Sequence, residues 1–174
     1  MDQGPKEWHY EGNIYLRPDP SGRDACIVTT NGIIKRNGLA VMGAGIARYC
    51  RDTFHGVDRI LWEKLRGGNH CYLLGNYEIP CGAPGPSRTF ALYSFPTKHD
   101  WRDDSDISLI RQSCREMVRL VYEDGIQTVY MPCPGCACGR LDYYQDVRPI
   151  LMEELNEHFV ICIPDRIWWK GHAR

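Results

Sequence analysis

The chain has 174 residues, of which 43% are hydrophobic and 25% are charged, and its formal net charge is −1. A chain of this length and composition can bury a hydrophobic core as one domain, which excludes an intrinsically disordered protein. The near-zero charge disfavours non-specific nucleic-acid binding, because proteins with that role usually carry a basic surplus.

The apolar pattern disfavours two further classes of protein. No apolar run is as long as a membrane span, and the first ten residues, MDQGPKEWHY, lack the apolar centre of a secretory signal. The nine cysteines are odd in number and, without such a signal, are expected as reduced thiols rather than as a disulfide framework. We therefore expect a cytoplasmic protein without membrane contact, and a monomer.

Apolar periodicity and turn residues predict strands that alternate with helices. In chain order, we predict a strand at 25–32, a helix at 45–54, strands at 70–77 and 89–96, a helix at 103–125, a strand at 127–135, a helix at 144–159 and a strand at 159–164. Because a helix tolerates Pro only in its first turn, Pro149 places the start of the last helix near Asp146 or Val147.

The segment 103–125 has the clearest helical pattern. Either Asp104 or Ser105 can cap its start, and Gly125 can end it. Its apolar residues share one face at helical spacing. They are Ile107, Ile110, Cys114, Met117, Val118 and Val121.

The alternation of strands and helices predicts an α/β fold with helices on both faces of a mixed sheet. No repeat or linker divides the sequence, so one domain is expected over residues 1–174. In such folds, ligands bind beyond the carboxyl ends of the strands. The glycine-containing loops at 43–45 and 135–139 both follow predicted strands, and we expect them to meet there.

The segment LAVMGAGIARYC at 39–50 places two glycines at the start of a predicted helix, where they cost backbone entropy. A loop without side chains lets backbone N–H groups approach a ligand, and the helix start adds the positive end of its dipole. Phosphate is the usual ligand of such a turn. The alternative is a tight loop that packs against a neighbouring strand.

Three of the cysteines cluster in PCPGCACG at 132–139, where Cys133 and Cys136 form a CxxC pair. Such a pair is found in zinc and redox sites. Zinc would need a fourth ligand and normally a second pair, and neither Cys114 nor His158 lies at a suitable spacing. We therefore interpret these cysteines as small residues of a tight loop and predict no metal site.

Five segments, in the same order, resemble the macrodomains, a family that binds ADP-ribose. The segments are EGNIYL, IVTTNG, GAGIA, FPTKHDWR followed by SDISLI, and PGCACGRLDYYQDVRPIL. The FPTKHDWR block is similar to the macrodomain antitoxins that remove ADP-ribose from DNA and to the related terminal ADP-ribose glycohydrolases of proteins. The resemblance implies a three-layer α/β/α macrodomain with a mixed central sheet.

The resemblance also implies which residues bind ADP-ribose. Asn13 matches a position where the family often has an Asp that accepts from the adenine amine, and Asn31 would reach the distal ribose. Both asparagines also suit turns without any ligand. The full set that the resemblance implies is Asn13, Ile14, Asn31, Gly43, Ala44, Gly45, Ile46, Gly135, Cys136, Ala137, Cys138, Gly139 and Arg140.

Lys98 in FPTK is the candidate catalytic residue. In the glycohydrolase relatives the matching Lys is implicated in attack at the anomeric carbon of the distal ribose, which requires a neutral amine. The alternative is an ordinary surface Lys, with His99 as a second candidate base. The protein-directed relatives have a catalytic Asp in the second loop. Gly139 stands at that position here, which favours the DNA-directed relatives.

Aromatic and basic residues lie side by side in HDWRDD and in Trp168-Trp169-Lys170. Such groups can stack bases of single-stranded nucleic acid. The alternatives are core packing for Trp101 and a C-terminal anchor for the Trp pair, and we favour the anchor for the pair.

Taken with the resemblance, the sequence predicts a protein that binds ADP-ribose and hydrolyses it from a modified macromolecule, with DNA favoured over protein. The alternative is a non-catalytic ADP-ribose-binding module, from which Lys98 in FPTK separates the enzyme. A phosphatase of an ADP-ribose metabolite is disfavoured, because the sequence has neither a metal constellation nor a His nucleophile motif. No cofactor is expected.

Overall fold

The computed structural model describes residues 3–82 and 84–165, so that Trp168, Trp169 and Lys170 lie outside the described residues. Six strands form one sheet in the order β1-β6-β5-β2-β4-β3. The strands are β1 Lys6–His9, β2 Asp24–Asn31, β3 Leu73–Ile79, β4 Arg88–Lys98, β5 Thr128–Met131 and β6 Phe159–Ile163. Only the β3–β4 pair is antiparallel, so the sheet is mixed, as predicted.

Four α-helices within residues 3–82 and 84–165 cover this sheet. They are α1 Gly45–Thr53, α2 Val57–Leu65, α3 Ile107–Glu123 and α4 Arg148–Glu154. A 3-10 turn at Ile14–Leu16 and a π-helical turn at Tyr143–Val147 complete the regular structure. No helix among the described residues combines the length and the hydropathy needed to span a bilayer.

The central strand β2 shows why the fold has three layers. Ala25 and Ile27 are buried in the core cluster that contains residues of α3 and α4. Cys26 and Val28 are buried in the second cluster, with residues of α1 and α2. Because successive side chains of a strand point to opposite faces, this continuous apolar run fits a strand that is covered on both sides. The predicted α/β/α arrangement is therefore confirmed.

The N-cap of α3 lies one or two residues later than predicted. Asp106, rather than Asp104 or Ser105, is the N-cap, and its carboxylate accepts a hydrogen bond from the Ser108 N–H at 2.8 Å. Ile107 is consequently 39% exposed instead of joining the apolar face. The predicted end is correct, since Gly125 has a φ of 64° and the Ile126 N–H bonds back to the carbonyl of Val121.

The last predicted helix is divided and shorter than expected. Residues 143–147 form the π-helical turn, and α4 ends at Glu154 because Leu155 is already extended, with a ψ of 159°. Pro149 does lie in the first turn of α4, as predicted. The sequence analysis did not predict β1 or α2 at all.

The segment before the first glycine loop is not a strand, so this loop does not directly follow a strand as expected. Within 39–42, Ala40 forms an isolated antiparallel β-bridge with Ile34. The segment is positioned instead by side chains, because the Asn31 amide donates to the Val41 carbonyl at 3.1 Å. The first glycine loop is thereby held beside the end of β2.

Candidate functional site

A cavity of about 570 Å³ lies at the carboxyl ends of the parallel strands. It lies beside Asn31 at the end of β2 and Lys98 at the end of β4, and beside residues that follow β5 and β6. The register between β2 and β4 shifts after Thr30, so that Asn31 pairs with Lys98. The two polar candidates from separate parts of the chain are therefore direct neighbours on adjacent strands.

A second cavity, of about 670 Å³, lies at the opposite edge of the sheet. Its lining includes Arg23, Gln127 and His158, which directly precede β2, β5 and β6. None of the residues that the sequence analysis assigned to a ligand lines it. The carboxyl-end cavity is therefore the candidate site, in agreement with the general position of ligands in α/β sheets.

The carboxyl-end cavity brings together most of the predicted residues. Asn13 and Arg140 are not among its lining residues. Arg140 instead pairs with Asp104 at 3.3 Å and extends into solvent. The predicted residues that do line the cavity are Ile14, Asn31, Gly43, Ala44, Gly45, Ile46, Lys98, Gly135, Cys136, Ala137, Cys138 and Gly139.

The two asparagines both have partners within the protein. Asn13 caps the 3-10 turn by accepting from the Tyr15 N–H at 3.0 Å, and its amide donates to the Tyr49 hydroxyl at 2.6 Å. Asn31 accepts from the Ile33 N–H at 3.2 Å and donates to Val41. Both therefore shape turns, and their roles toward adenine and ribose stay predictions.

The first glycine loop leaves room for a ligand. A Cβ on Gly43 would meet nothing within 4 Å, and Gly45 has a φ of 54°, which favours glycine. Ala44 is the N-cap of α1 and supplies no side-chain cap. The first-turn N–H groups of Gly45, Ile46 and Ala47 thus lie at the cavity without a side-chain acceptor. This geometry suits an anion.

The second glycine loop is tightly closed on itself. The Leu141 N–H donates to the Gly135 carbonyl at 3.0 Å, and the Ser105 N–H donates to the Gly139 carbonyl at 3.0 Å. A Cβ on Gly139 would overlap Ser105 Oγ and the Gly135 carbonyl group. The backbone of this loop therefore leaves no room for an Asp side chain at position 139.

Lys98 connects the end of β4 to this second loop. Its Nζ donates to the Cys138 carbonyl at 2.9 Å and to the Trp101 carbonyl at 3.3 Å. Both acceptors are neutral backbone groups. Among the described residues, no carboxylate forms an ion pair with Lys98. The amine therefore lies at the cavity wall, beside the loop that the resemblance assigns to the distal ribose.

His99, the second candidate base, and Asp142, which follows the second glycine loop, are both engaged elsewhere. His99 is bonded through Nε2 to the Asp106 carboxylate at 2.9 Å, and this hydrogen bond lowers the pKa of Asp106 below its usual value. Asp142 accepts from the Gln145 N–H at 2.8 Å at the start of the π-helical turn. Neither residue lines the cavity.

Two buried hydroxyl groups of the cavity were missed as candidates. Thr30 is 5% exposed and Ser105 is 8% exposed, and neither side-chain oxygen has a hydrogen-bond partner in the protein. Unpartnered buried polar atoms are rare in folded proteins. The sequence contained one signal for Ser105, which is the Asp106 that follows it. Because Asp106 caps α3, the Ser105 hydroxyl is not needed as a cap.

The cysteine cluster shows no metal centre. Cys133 and Cys136 are buried, and burial raises the pKa of both thiols above the usual value. Cys138 is exposed at the cavity. In residues 3–82 and 84–165, no group of three or more His, Cys, Asp or Glu side chains is placed to hold a metal ion.

Trp101 was interpreted alternatively as a core residue, and this alternative is wrong. Its side chain lines the rim of the cavity and the residue is 52% exposed. The reason is local, because residues 100–103 form a turn closed by the Asp103 N–H and the Asp100 carbonyl at 3.1 Å. Trp101 at the tip of this turn projects away from the core.

The fold is similar to several solved structures. Thermosipho africanus DarTG in complex with ADP-ribose matches with a TM-score of 0.66 and 21% identity, over 92% of this chain and 42% of that one. The macrodomain of Mycobacterium tuberculosis DarG matches with a TM-score of 0.62 and 22% identity, over 94% of this chain and 100% of that one. An Oceanobacillus iheyensis macrodomain with ADP matches with a TM-score of 0.53 and 11% identity, over 91% of this chain and 84% of that one.

Neither protein-family models nor curated protein sequences give a match to this chain. The structural matches nevertheless cover nearly the whole chain and include macrodomains from several bacteria. The six-stranded mixed sheet and its layers of helices therefore have the macrodomain fold.

Proposed function

We propose that this protein binds ADP-ribose in the carboxyl-end cavity and hydrolyses ADP-ribose from a modified macromolecule, with DNA favoured as the substrate. The observation that carries the proposal is a set of hydrogen-bond donors around one cavity. These groups are the uncapped start of α1, the buried hydroxyls of Thr30 and Ser105, and the amine of Lys98. ADP-ribose offers a diphosphate and two ribose rings to such donors.

The diphosphate is proposed to lie between the two glycine loops. The start of α1 supplies backbone N–H groups and a positive dipole end, and the open space at Gly43 permits close approach. A Cβ on Gly45 would lie 3.9 Å from Cys138 Sγ, so the two loops come close to each other here. The similar DarTG structure is a complex with ADP-ribose, which supports this choice of ligand.

In the proposed reaction, the neutral Lys98 amine attacks the anomeric carbon of the distal ribose as a nucleophile, and water then breaks the resulting carbon–nitrogen bond and restores the amine. The bond between this carbon and the acceptor breaks, and the acceptor keeps the electron pair and gains a proton. Water supplies that proton and the hydroxyl that remains on the ribose. The two present partners of Lys98 Nζ are carbonyl oxygens, and a ribose hydroxyl can replace either of them.

Gly139 supports DNA over protein as the substrate. The protein-directed relatives use an Asp at this position, and here the position cannot carry even a Cβ without a shift of Gly135. His99 and Asp142 do not replace the missing carboxylate, because both are bonded elsewhere. The same absence favours one alternative function, a module that binds ADP-ribose without turnover.

One experiment separates these functions. The protein is titrated with ADP-ribose by calorimetry and is incubated in parallel with ADP-ribosylated single-stranded DNA and ADP-ribosylated protein. We expect binding, together with faster release of ADP-ribose from the DNA. Binding without release from either substrate would establish the module instead, and no binding would refute both functions.

A further inference from the structure

The rim of the cavity presents a flat aromatic surface beside the candidate catalytic amine. Trp101 is about half exposed and lines the cavity, and its own carbonyl accepts from Lys98 Nζ at 3.3 Å. The Arg102 guanidinium lies 5.7 Å from the centre of the indole ring, which is cation–π distance. An acceptor attached at the anomeric carbon would therefore leave the cavity next to this ring.

The turn that carries Trp101 is stabilised by an ion pair. The Arg102 side chain bonds Asp100 through Nε at 2.9 Å and through Nη2 at 2.6 Å. These hydrogen bonds from Arg102 lower the pKa of Asp100 to about 2, so the pair stays ionised at neutral pH. Together with the closed turn, the pair limits the freedom of the Trp101 backbone.

The charges at the rim do not favour contact with phosphate groups. Arg102 is paired with Asp100, and Arg140 is paired with Asp104. Both guanidinium groups are thus offset by a neighbouring carboxylate, and Asp103 adds a further acidic residue to the segment. A nucleic-acid partner that docks here would therefore gain more binding free energy from stacking on the Trp101 ring than from contacts between its phosphates and these arginines.

We propose that Trp101 stacks on the nucleobase that carries ADP-ribose in single-stranded DNA. This inference rests on the proposed function and extends it, because it names the base as the part of the acceptor that is recognised. Bases stack on aromatic side chains with little dependence on sequence, since every base has a flat π-face. Glu and Asp side chains, the acceptors in protein, offer no such face.

The test measures binding in a Lys98→Ala background, where substrate is not consumed. The ligands are free ADP-ribose, a single-stranded oligonucleotide with ADP-ribose on one base, and a peptide with ADP-ribose on Glu. We expect Trp101→Ala to weaken oligonucleotide binding by about fivefold to a hundredfold. Binding of ADP-ribose and of the peptide stays unchanged.

Two further variants sharpen this result. Trp101→Phe keeps a smaller ring and should lose less affinity for the oligonucleotide than Trp101→Ala. Tyr122→Ala removes another exposed aromatic side chain, 88% exposed on α3, and should change nothing. Oligonucleotide affinity should also vary only weakly with salt, because few phosphates are contacted.

Several outcomes would overturn the proposal. Equal oligonucleotide binding before and after Trp101→Ala would remove the stacking role, and an equal loss for all three ligands would show that Trp101 only shapes the Lys98 loop. Selective loss of peptide binding would assign the ring to a protein acceptor. If the parent protein bound no ADP-ribose, the proposed function itself would fail, which is a separate result.

Discussion

A Cβ atom on Gly139 would overlap Ser105 Oγ and would also collide with the backbone carbonyl of Gly135. We therefore expect Gly139→Asp to disrupt the second loop rather than to supply a catalytic carboxylate. Overpacking of this kind commonly costs about 1–3 kcal/mol in the free energy of unfolding. Thermal melting and calorimetry should show lower stability and weaker ADP-ribose binding.

The control for this prediction is the double variant Ser105→Gly with Gly139→Ala. Removing the Ser105 hydroxymethyl group leaves the Gly135 carbonyl in place, so the double variant should remain destabilised. A Gly139→Asp protein with normal stability and faster release from ADP-ribosylated protein would contradict the geometry of this loop.

Gly43→Glu should abolish ADP-ribose binding and leave the protein stable. The Cβ at this position meets nothing within 4 Å, so folding should change by no more than about 0.5 kcal/mol. The added carboxylate would lie against the proposed diphosphate, and like charges repel strongly in a partly enclosed site. Calorimetric titration measures the binding, and melting measures the stability.

Gly43→Gln is the matched control because it has nearly the same size without the charge. Its binding should fall less than that of Gly43→Glu. Equal ADP-ribose affinity in the parent protein and in Gly43→Glu would remove the diphosphate from this loop.

Lys98→Ala should stop release of ADP-ribose while binding remains nearly intact. Loss of a group that acts directly in the reaction lowers rates by roughly a hundredfold to ten-thousandfold. The glycine loops and the buried hydroxyls remain to hold the ligand. Rates are followed on the ADP-ribosylated oligonucleotide, and affinity is followed with free ADP-ribose.

The informative companion is Lys98→Arg. A guanidinium can still donate to the Cys138 and Trp101 carbonyls, yet it stays protonated and is a poor nucleophile. We expect this variant to keep the loop in place and to be inactive. Full activity in either variant would remove Lys98 from the mechanism.

Cys138 should be the first cysteine to react with iodoacetamide near pH 8. It is exposed, Cys81 is partly exposed, and the other seven are buried. Burial raises the pKa of Cys50 and Cys114 to about 12 and that of Cys162 to about 11, which keeps them as unreactive thiols. Peptide mapping by mass spectrometry identifies the modified site.

Saturating ADP-ribose should slow this modification, because Cys138 lies in the cavity beside Gly45. Cys138→Ser provides the control, in which labelling at the cavity disappears. Labelling of Cys138 that is indifferent to ADP-ribose would place the ligand away from the second loop.

The long elements were predictable because their patterns are local. The apolar run of β2 and the 3.6-residue stripe of α3 follow from the residues within each segment. The α3 cap was misplaced because Asp104, Ser105 and Asp106 are all good capping residues in succession. What separates them is the hydrogen bond that the Ser108 N–H donates to the Asp106 carboxylate.

The missed elements depend on distant partners or on very short patterns. Strand β1 has four residues, three of them exposed, and pairs only with β6 at the far end of the chain. Helix α2 has a short stripe of Val57, Leu61 and Leu65 that periodicity does indicate in retrospect. Core packing stayed open for Trp101 because a polar loop in the sequence does not show which way its one large aromatic side chain points.

The meeting of the two glycine loops at one end of the sheet was expected from the sequence, but the position of Lys98 beside Asn31 was not. The two glycine loops and Lys98 were identified, whereas the Asn31–Lys98 pairing requires the register shift between β2 and β4. The partnerless hydroxyls of Thr30 and Ser105 are properties of the closed cavity. No single segment contains that information.

The parallel pairing of β1 with β6 also has a consequence for synthesis of the protein. Residues 6–9 leave the ribosome early but find their partner only after residues 160–163 have been made. The Tyr10 N–H, which helps to position one wall of the cavity, likewise waits for the Ile163 carbonyl. A nascent chain that lacks β6 should therefore be unable to hold ligand, and the site becomes competent only after residues 159–163 have been made.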